Sequence, residues 1–226
     1  MVELNYFSEG LSDEILKLAQ FKLYALVQIL HKVRVGEAAA KGMRGEGELW
    51  LLEVNEHVQR LGAKKSTALV KAHGECLKFV KEHITVHRLK SMKRITEVAK
   101  NEEQALREKQ RYKRMLAFEL LFHNLALLLM IPEMFEEIES DLEELKLCFG
   151  KLGLTTTAEK GSKRAKKEKK SENPEERQEA LNVLFDLLIA LLTKPQSFLR
   201  EIANFTFKQM CTEIPPTALA HLIEIV

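Results

Sequence analysis

Apolar positions in the last quarter of the chain recur with helical spacing. Leu181, Leu184, Phe185, Leu188 and Leu192 follow one another at steps of three and four, so they share one helix face. Leu187 and Leu191 widen that face until little polar surface is left, and a helix so apolar needs neighbours on more than one side. After Lys194-Pro195, where the residue before proline is pushed out of the helical region, a second helix follows. Its inner side is Leu199, Ile202, Ala203, Phe205, Phe207 and Met210, with Arg200, Glu201 and Lys208 outside. Such a pair cannot bury its outer face alone, and stacked pairs of this kind build α-solenoids. The pattern predicts an all-α chain, a HEAT/armadillo-like α-solenoid of antiparallel helix pairs.

The rest of the chain reads the same way. Leu11 to Val35 is expected to be a helix, capped by Ser12 or Asp13, with Ile15, Leu18, Phe21, Leu26, Ile29, Leu30 and Val33 on its apolar side. Gly36 to Gly47 reads as a loop, and no stretch alternates with period two, so almost no strand is expected. Glu48 to Leu61 predicts a second helix around Trp50, Leu51, Val54, Val58 and Leu61. Lys64 to Lys100 reads as one helix, or two broken near Thr85, with apolar steps at Leu69, Ala72, Cys76, Phe79, Val80, Ile84, Leu89, Met92, Ile95 and Val98. Asn101 to Ile131 predicts a long helix, charged in its first half and apolar in its second. Pro132 ends it or begins the next, and Phe135, Ile138, Leu142, Leu145, Phe149 and Leu152 then mark an acidic amphipathic helix.

Residues 154–176 form a lysine-rich linker without the apolar residues that could offset ordering entropy, so disorder is expected there. The domains predicted are a helical-repeat region at 1–153, this linker, and a helix pair plus the start of a further repeat at 177–226. Thr217 to Val226 ends inside an apolar helix, whereas solenoids need polar caps, so a longer parent protein is expected.

Composition changes this picture little. The 226 residues are 46% hydrophobic and 30% charged with a net charge of +2. Cys76, Cys148 and Cys211 are odd in number, far apart and without metal spacing, which points to reduced thiols in the cytosol or nucleus. No secretory signal is visible at the start. Met115 to Ile131 is membrane-like in hydropathy, but Glu119, His123 and Asn124 interrupt it. It also falls short of the roughly 20 apolar residues of a span, so a buried solenoid helix is expected.

The string from Phe185 through Pro195 to Phe207, followed by Ala218-Leu-Ala-His-Leu-Ile-Glu-Ile225, resembles the Myb-binding protein 1A family, also called DNA polymerase V or phi. In that family such a block follows a charged lysine-rich insert, the place that Gly161 to Asn173 occupies here. Arg114 to Leu129 and Ile138 to Leu145 are similar as well. The resemblance covers the last half closely and the first half loosely. It implies residence in the nucleus and nucleolus, with roles in transcription regulation, ribosomal RNA synthesis and ribosome biogenesis.

Charge is where candidate chemistry lies. Lys163, Arg164, Lys166, Lys167, Lys169 and Lys170 have the density of a nuclear localisation signal or a phosphate-contacting tail; the bland alternative is a solvated linker. Arg60 to Arg114 carries sixteen Lys/Arg against six Glu, with Lys93, Arg94, Arg111, Lys113 and Arg114 as a candidate basic surface for a nucleic-acid backbone. Glu133 to Glu144 has seven acids and no base, so the two stretches could equally be solvated faces that offset each other. No aromatic residue is interleaved in the lysine run for base stacking.

His73, Cys76, His83 and His87 fall on one helix side, but His73 and His87 would lie roughly 21 Å apart along the axis, too far for one ion. His83 and His87 lack the Glu of a His-Glu-x-x-His motif. Nucleotidyl transfer needs carboxylates converging on two metal ions, and Asp13, Asp141 and Asp186 are the only aspartates. No Walker-type phosphate loop is present either. We therefore expect no enzyme, cofactor, metal, membrane or small-molecule substrate. The expected partners are nuclear proteins, either transcription factors or ribosome-assembly factors, together with non-specific contact to a DNA or RNA backbone. The alternative is a cytoplasmic peptide-binding adaptor of armadillo/HEAT type. Deletion of Lys163 to Lys170 separates the two through loss or retention of nuclear accumulation.

Overall fold

The computed structural model describes single positions between 12 and 34, then residues 42–44, 47–62, 67–154, 174–194, 197–214, 216, 219 and 220. Among the described residues seven α-helices carry the fold. They are α1 (Trp50–Gly62), α2 (Ala68–Phe79), α3 (Val86–Glu97), α4 (Glu102–Leu128), α5 (Phe135–Lys151), α6 (Pro174–Thr193) and α7 (Ser197–Met210). The protein is all-α, with the helices packed against each other. The single departure among the described residues is a pair of two-residue strands, β1 (Met43–Arg44) and β2 (Glu48–Leu49), which pair antiparallel with Met43 opposite Leu49. A loop was expected over Gly36–Gly47 and a helix from Glu48; the helix begins at Trp50 instead. Gly42 and Gly47 hold φ of 76° and 96°, a region open to glycine, and these two bends bring the strands together.

The chain forms two compact units. One takes residues 1–82 and 119–139, the other residues 83–118 and 140–226. In the first unit α1 lies on α2. Thr67 caps α2, its Oγ1 accepting from the Val70 amide at 3.4 Å. Gly62 ends α1 in close contact with Val70, where a Cβ would come within 3.0 Å of the valine methyl. The inner side of α1 is Leu51, Leu52 and Asn55. Of the expected face, Leu51 alone is fully buried; Trp50, Val54, Val58 and Leu61 are half-buried. The helix is turned because the polar Asn55 has a place inside. Its Nδ2 donates to the carbonyls of Leu51 at 2.8 Å and His123 at 3.2 Å. Its Oδ1 meets His73 Nε2 at 2.9 Å, while His73 Nδ1 meets Gln59 at 2.7 Å. His73 is fully buried, and burial, with His123 beside it, lowers its pKa to about 4.

Beyond α2 the helix continues as a π-helical stretch, Val80–Thr85, and then α3, so the expected break near Thr85 is a local widening. The expected apolar steps Leu89, Met92, Ile95 and Val98 are half-buried, and the fully buried positions of α3 are Arg88 and Ser91. The inward turn is filled by Arg88, whose guanidinium lies over the Tyr112 ring of α4 at 5.8 Å.

Helix α4 starts where expected, Asn101 Oδ1 accepting from the Gln104 amide at 3.1 Å. From Met115 to Ile131 every residue except Leu116 is buried, Glu119, His123 and Asn124 included. Among the described residues no single helix is long and apolar enough to cross a membrane; α4 and the segment Pro132–Lys151 pass that test only as a pair bent by 120°. Pro132 opens a 3₁₀ turn before α5. In α5, Ile138, Leu142, Leu145 and Phe149 are buried as expected, Phe135 is half-buried and Leu147 is exposed.

In the second unit α6 and α7 form the expected antiparallel pair, with Phe185 and Phe207 rings 5.1 Å apart. Arg200 Nη1 donates to the Lys194 carbonyl at 2.7 Å across the proline turn. Residues 155–173, which hold most of the expected linker, lie outside the described residues. Leu154 is buried, and Pro174 to Glu176 already form the first turn of α6, where proline needs no amide partner.

The expected helix Leu11–Val35 is described in part. Of its described apolar members, Ile15, Leu18, Leu26, Ile29 and Val33, expected inside, are exposed, and Leu30 is half-buried. Its last turn, Ile29–Lys32, is 3₁₀. Of Thr217 to Val226, Leu219 and Ala220 are described, both helical and exposed.

Candidate nucleic-acid interface

The basic positions belong to the hairpin of α3 and α4 in the second unit. Arg88 over Tyr112 fixes the two helices against each other, and this packing sets where their charges fall. Lys93 and Lys113 are exposed and Arg94 is half-buried. The other two candidates are turned to structural work. Arg111 donates from Nε and Nη2 to the Leu154 carbonyl at 3.2 and 3.0 Å. Arg114 pairs with Glu213 at 2.5 Å, and Glu213 also receives Arg177. These two arginines therefore tie the unit together. The neighbouring carbonyl and carboxylate that claim them could not be read from local sequence, because both partners lie far along the chain.

Two residues outside the sequence-derived set join the surface. His87 and Lys90 precede Lys93 and Arg94 on α3. The pKa of His87 is lowered by partial burial first, then by Lys90, with Arg111 and His83 adding to the effect and a backbone hydrogen bond at His83 opposing it. Arg111 is also lowered, by burial first and by Arg94 last, against the pull of Glu108. Each of these groups feels another cation, so the positive charge is crowded. The signal for them in the sequence was the spacing His87, Lys90, Arg94, which at three and four residues marks one helix face.

The six linker cations, Lys163, Arg164, Lys166, Lys167, Lys169 and Lys170, lie outside the described residues. Nor is the histidine–cysteine set one ligand group. His73 is held by Asn55 and Gln59, Cys76 is buried, and His83 and His87 are in the other unit. Among the described residues no cluster of three or more His, Cys, Asp or Glu is placed to hold a metal ion. The first unit has an open groove of about 660 Å³ between α1 and α2, lined by Arg60, Lys78, Lys81, Glu56 and Glu82 among others. Lys81 pairs with Glu56 there at 2.6 Å, leaving little excess charge to select a partner.

The family model described as DNA polymerase phi matches residues 3–226. The chain belongs to the DNA polymerase phi family. That family is generally nuclear, and a nuclear setting is compatible with a crowded basic face. Comparison with curated proteins and with solved structures gives no match. Membership in the DNA polymerase phi family thus rests on the family pattern over nearly the whole chain.

Proposed function

We propose that this chain is a non-enzymatic helical scaffold of HEAT/armadillo type that works in the nucleus and nucleolus, in transcription regulation and ribosomal RNA synthesis, as its likeness to Myb-binding protein 1A suggests. It binds nuclear proteins along its helices and touches nucleic-acid backbone through its cations. The observation that carries the reading is the α3–α4 hairpin, where Lys93 and Lys113 are exposed and Arg94 and Arg111 crowd each other. Family membership supports the nuclear setting. Lys163 to Lys170 add an import signal or further phosphate contact, a role that rests on their sequence alone.

A salt series tests the reading. The purified chain is titrated onto a labelled DNA duplex and a structured RNA, with Lys93→Gln/Lys113→Gln and the six linker cations changed to Gln as separate variants. Each lost phosphate contact lowers the slope of log affinity against log salt by about 0.9 on duplex DNA, so the double lysine variant should lose about 1.8. Binding that survives only without dependence on Lys93 and Lys113, and vanishes with the linker cations, removes the hairpin from the interface. Absence of binding leaves protein partners as the whole function.

A further inference from the structure

The groups on α3 that face Arg111 do more than add positive charge. His87, Lys90 and Arg94 follow one another at three- and four-residue steps, so they form one stripe along α3. Lys90 is exposed, and His87 and Arg94 are half-buried. Arg88, the residue between His87 and the rest of the stripe, is buried over Tyr112 and fixes how the stripe is presented. Across from it, Arg111 is anchored to the Leu154 carbonyl and keeps its charge near the stripe. The groups acting on His87 are Lys90, Arg111 and His83, with no carboxylate among them. Glu108 acts on Arg111.

We propose that His87, Lys90 and Arg94 form a binding site for the phosphodiester backbone of a nucleic acid, and that a proton enters His87 as the phosphate binds. The inference deepens the reading of the α3–α4 hairpin as a phosphate-contacting surface and rests on it. In the unliganded chain burial first, and then Lys90 and Arg111, favour the neutral imidazole at His87. A phosphate placed against Lys90 and Arg94 offsets the repulsion from Lys90 and supplies an acceptor for the imidazolium, so binding shifts His87 toward its charged form. One proton is drawn from solvent and no bond is broken. By linkage, affinity rises as pH falls, by up to tenfold per unit, between the His87 pKa of the complex and the lower one of the free chain.

The full chain is used for the test. Affinity for a labelled 20-base-pair duplex and for an RNA hairpin is measured at constant salt from pH 5.5 to 7.5, and the His87 imidazole is followed by NMR titration with and without saturating duplex. We expect the His87 pKa to rise on binding and the affinity to climb with falling pH. We expect His87→Gln to flatten that dependence and Lys90→Gln to weaken binding while raising the His87 pKa of the free chain. Similar behaviour on both probes assigns the site to the shared backbone; coupling on one alone assigns it to that nucleic acid. A His87 pKa unmoved by saturating duplex, or an undiminished pH dependence in His87→Gln, overturns the inference and leaves the hairpin reading standing. Failure of both probes to bind overturns both.

Discussion

A neutral imidazole has one N–H, yet His73 has an amide side chain at each ring nitrogen. Asn55 uses its Nδ2 on the Leu51 and His123 carbonyls, so its Oδ1 is fixed as an acceptor and His73 Nε2 carries the proton. His73 Nδ1 lies 2.7 Å from Gln59 Oε1. Burial first, and then the neighbouring His123, disfavours the imidazolium, which is why the pKa falls to about 4. Its consequence is a pH-dependent stability with a defined sign. The unfolded chain takes up the His73 proton near pH 6.5, while the folded chain resists until about 4, so the contribution is fully present above 6.5 and is lost as pH falls through that window. The loss amounts to about 3 kcal/mol at most by pH 4. Urea denaturation from pH 7.5 to 4 should show it, and His73→Gln should remove most of the slope; an equal slope in the variant would assign it elsewhere. None of this was legible in the sequence, where His73 was weighed with Cys76, His83 and His87 only as a metal-ligand set and set aside on distance. Helical spacing places residues on a face but cannot say which polar group on another helix will meet them.

Helices were more legible than their orientation. The faces of α5, α6 and α7 emerge largely as the apolar spacing requires, because each contains many large apolar side chains; in α7 Thr206 is buried and the expected Phe205 only half-buried, and in α6 Leu192 is half-buried. In α1 and α3 the apolar residues are fewer and polar groups win places inside, Asn55 by its hydrogen bonds and Arg88 by its ring contact, so the buried arc is shifted from the apolar one. The paired strands were missed because two residues are too few for a period-two pattern, and the two glycines that make them possible look like loop residues. Helix α5 offers an internal test of how far spacing governs energy. Leu145 and Leu147 are neighbours of the same type, one fully buried and the other 67% exposed. Leu145→Ala should cost about 2–5 kcal/mol, through lost burial and the cavity left behind. Leu147→Ala should stay within about 0.5 kcal/mol. Chemical denaturation of the two variants reads the difference directly, and similar losses would mean that Leu147 is covered in solution.

At the scale of the whole chain, the second unit gathers residues from both sides of 155–173. Helix α6 explains why. Its buried residues Ala180, Leu181, Leu184, Phe185, Leu187, Leu188, Ile189 and Leu191 spread over an arc of roughly 200° at 100° per residue, wider than the single neighbour α7 can cover. The rest of that arc is buried by residues other than α7. Glu213 adds a charged tie, receiving Arg114 from α4 and Arg177 from α6, and Lys151 of α5 meets Glu179 of α6 at 3.3 Å. The Lys151 pair is exposed and worth under about 1 kcal/mol, so apolar burial by α6 provides most of the cohesion. A chain expressed as two pieces, 1–160 and 171–226, should therefore assemble and co-purify through a tag on the first piece alone. Glu213→Ala in the second piece should weaken the complex measurably, since it leaves Arg114 and Arg177 partly buried beside each other without their shared carboxylate. Leu184→Ala, at a fully buried position of α6, should weaken it more. Recovery of the two pieces separately would show that the helix pair beyond residue 173 is held only by its covalent connection, and would detach α6 and α7 from the surface formed by α3 and α4.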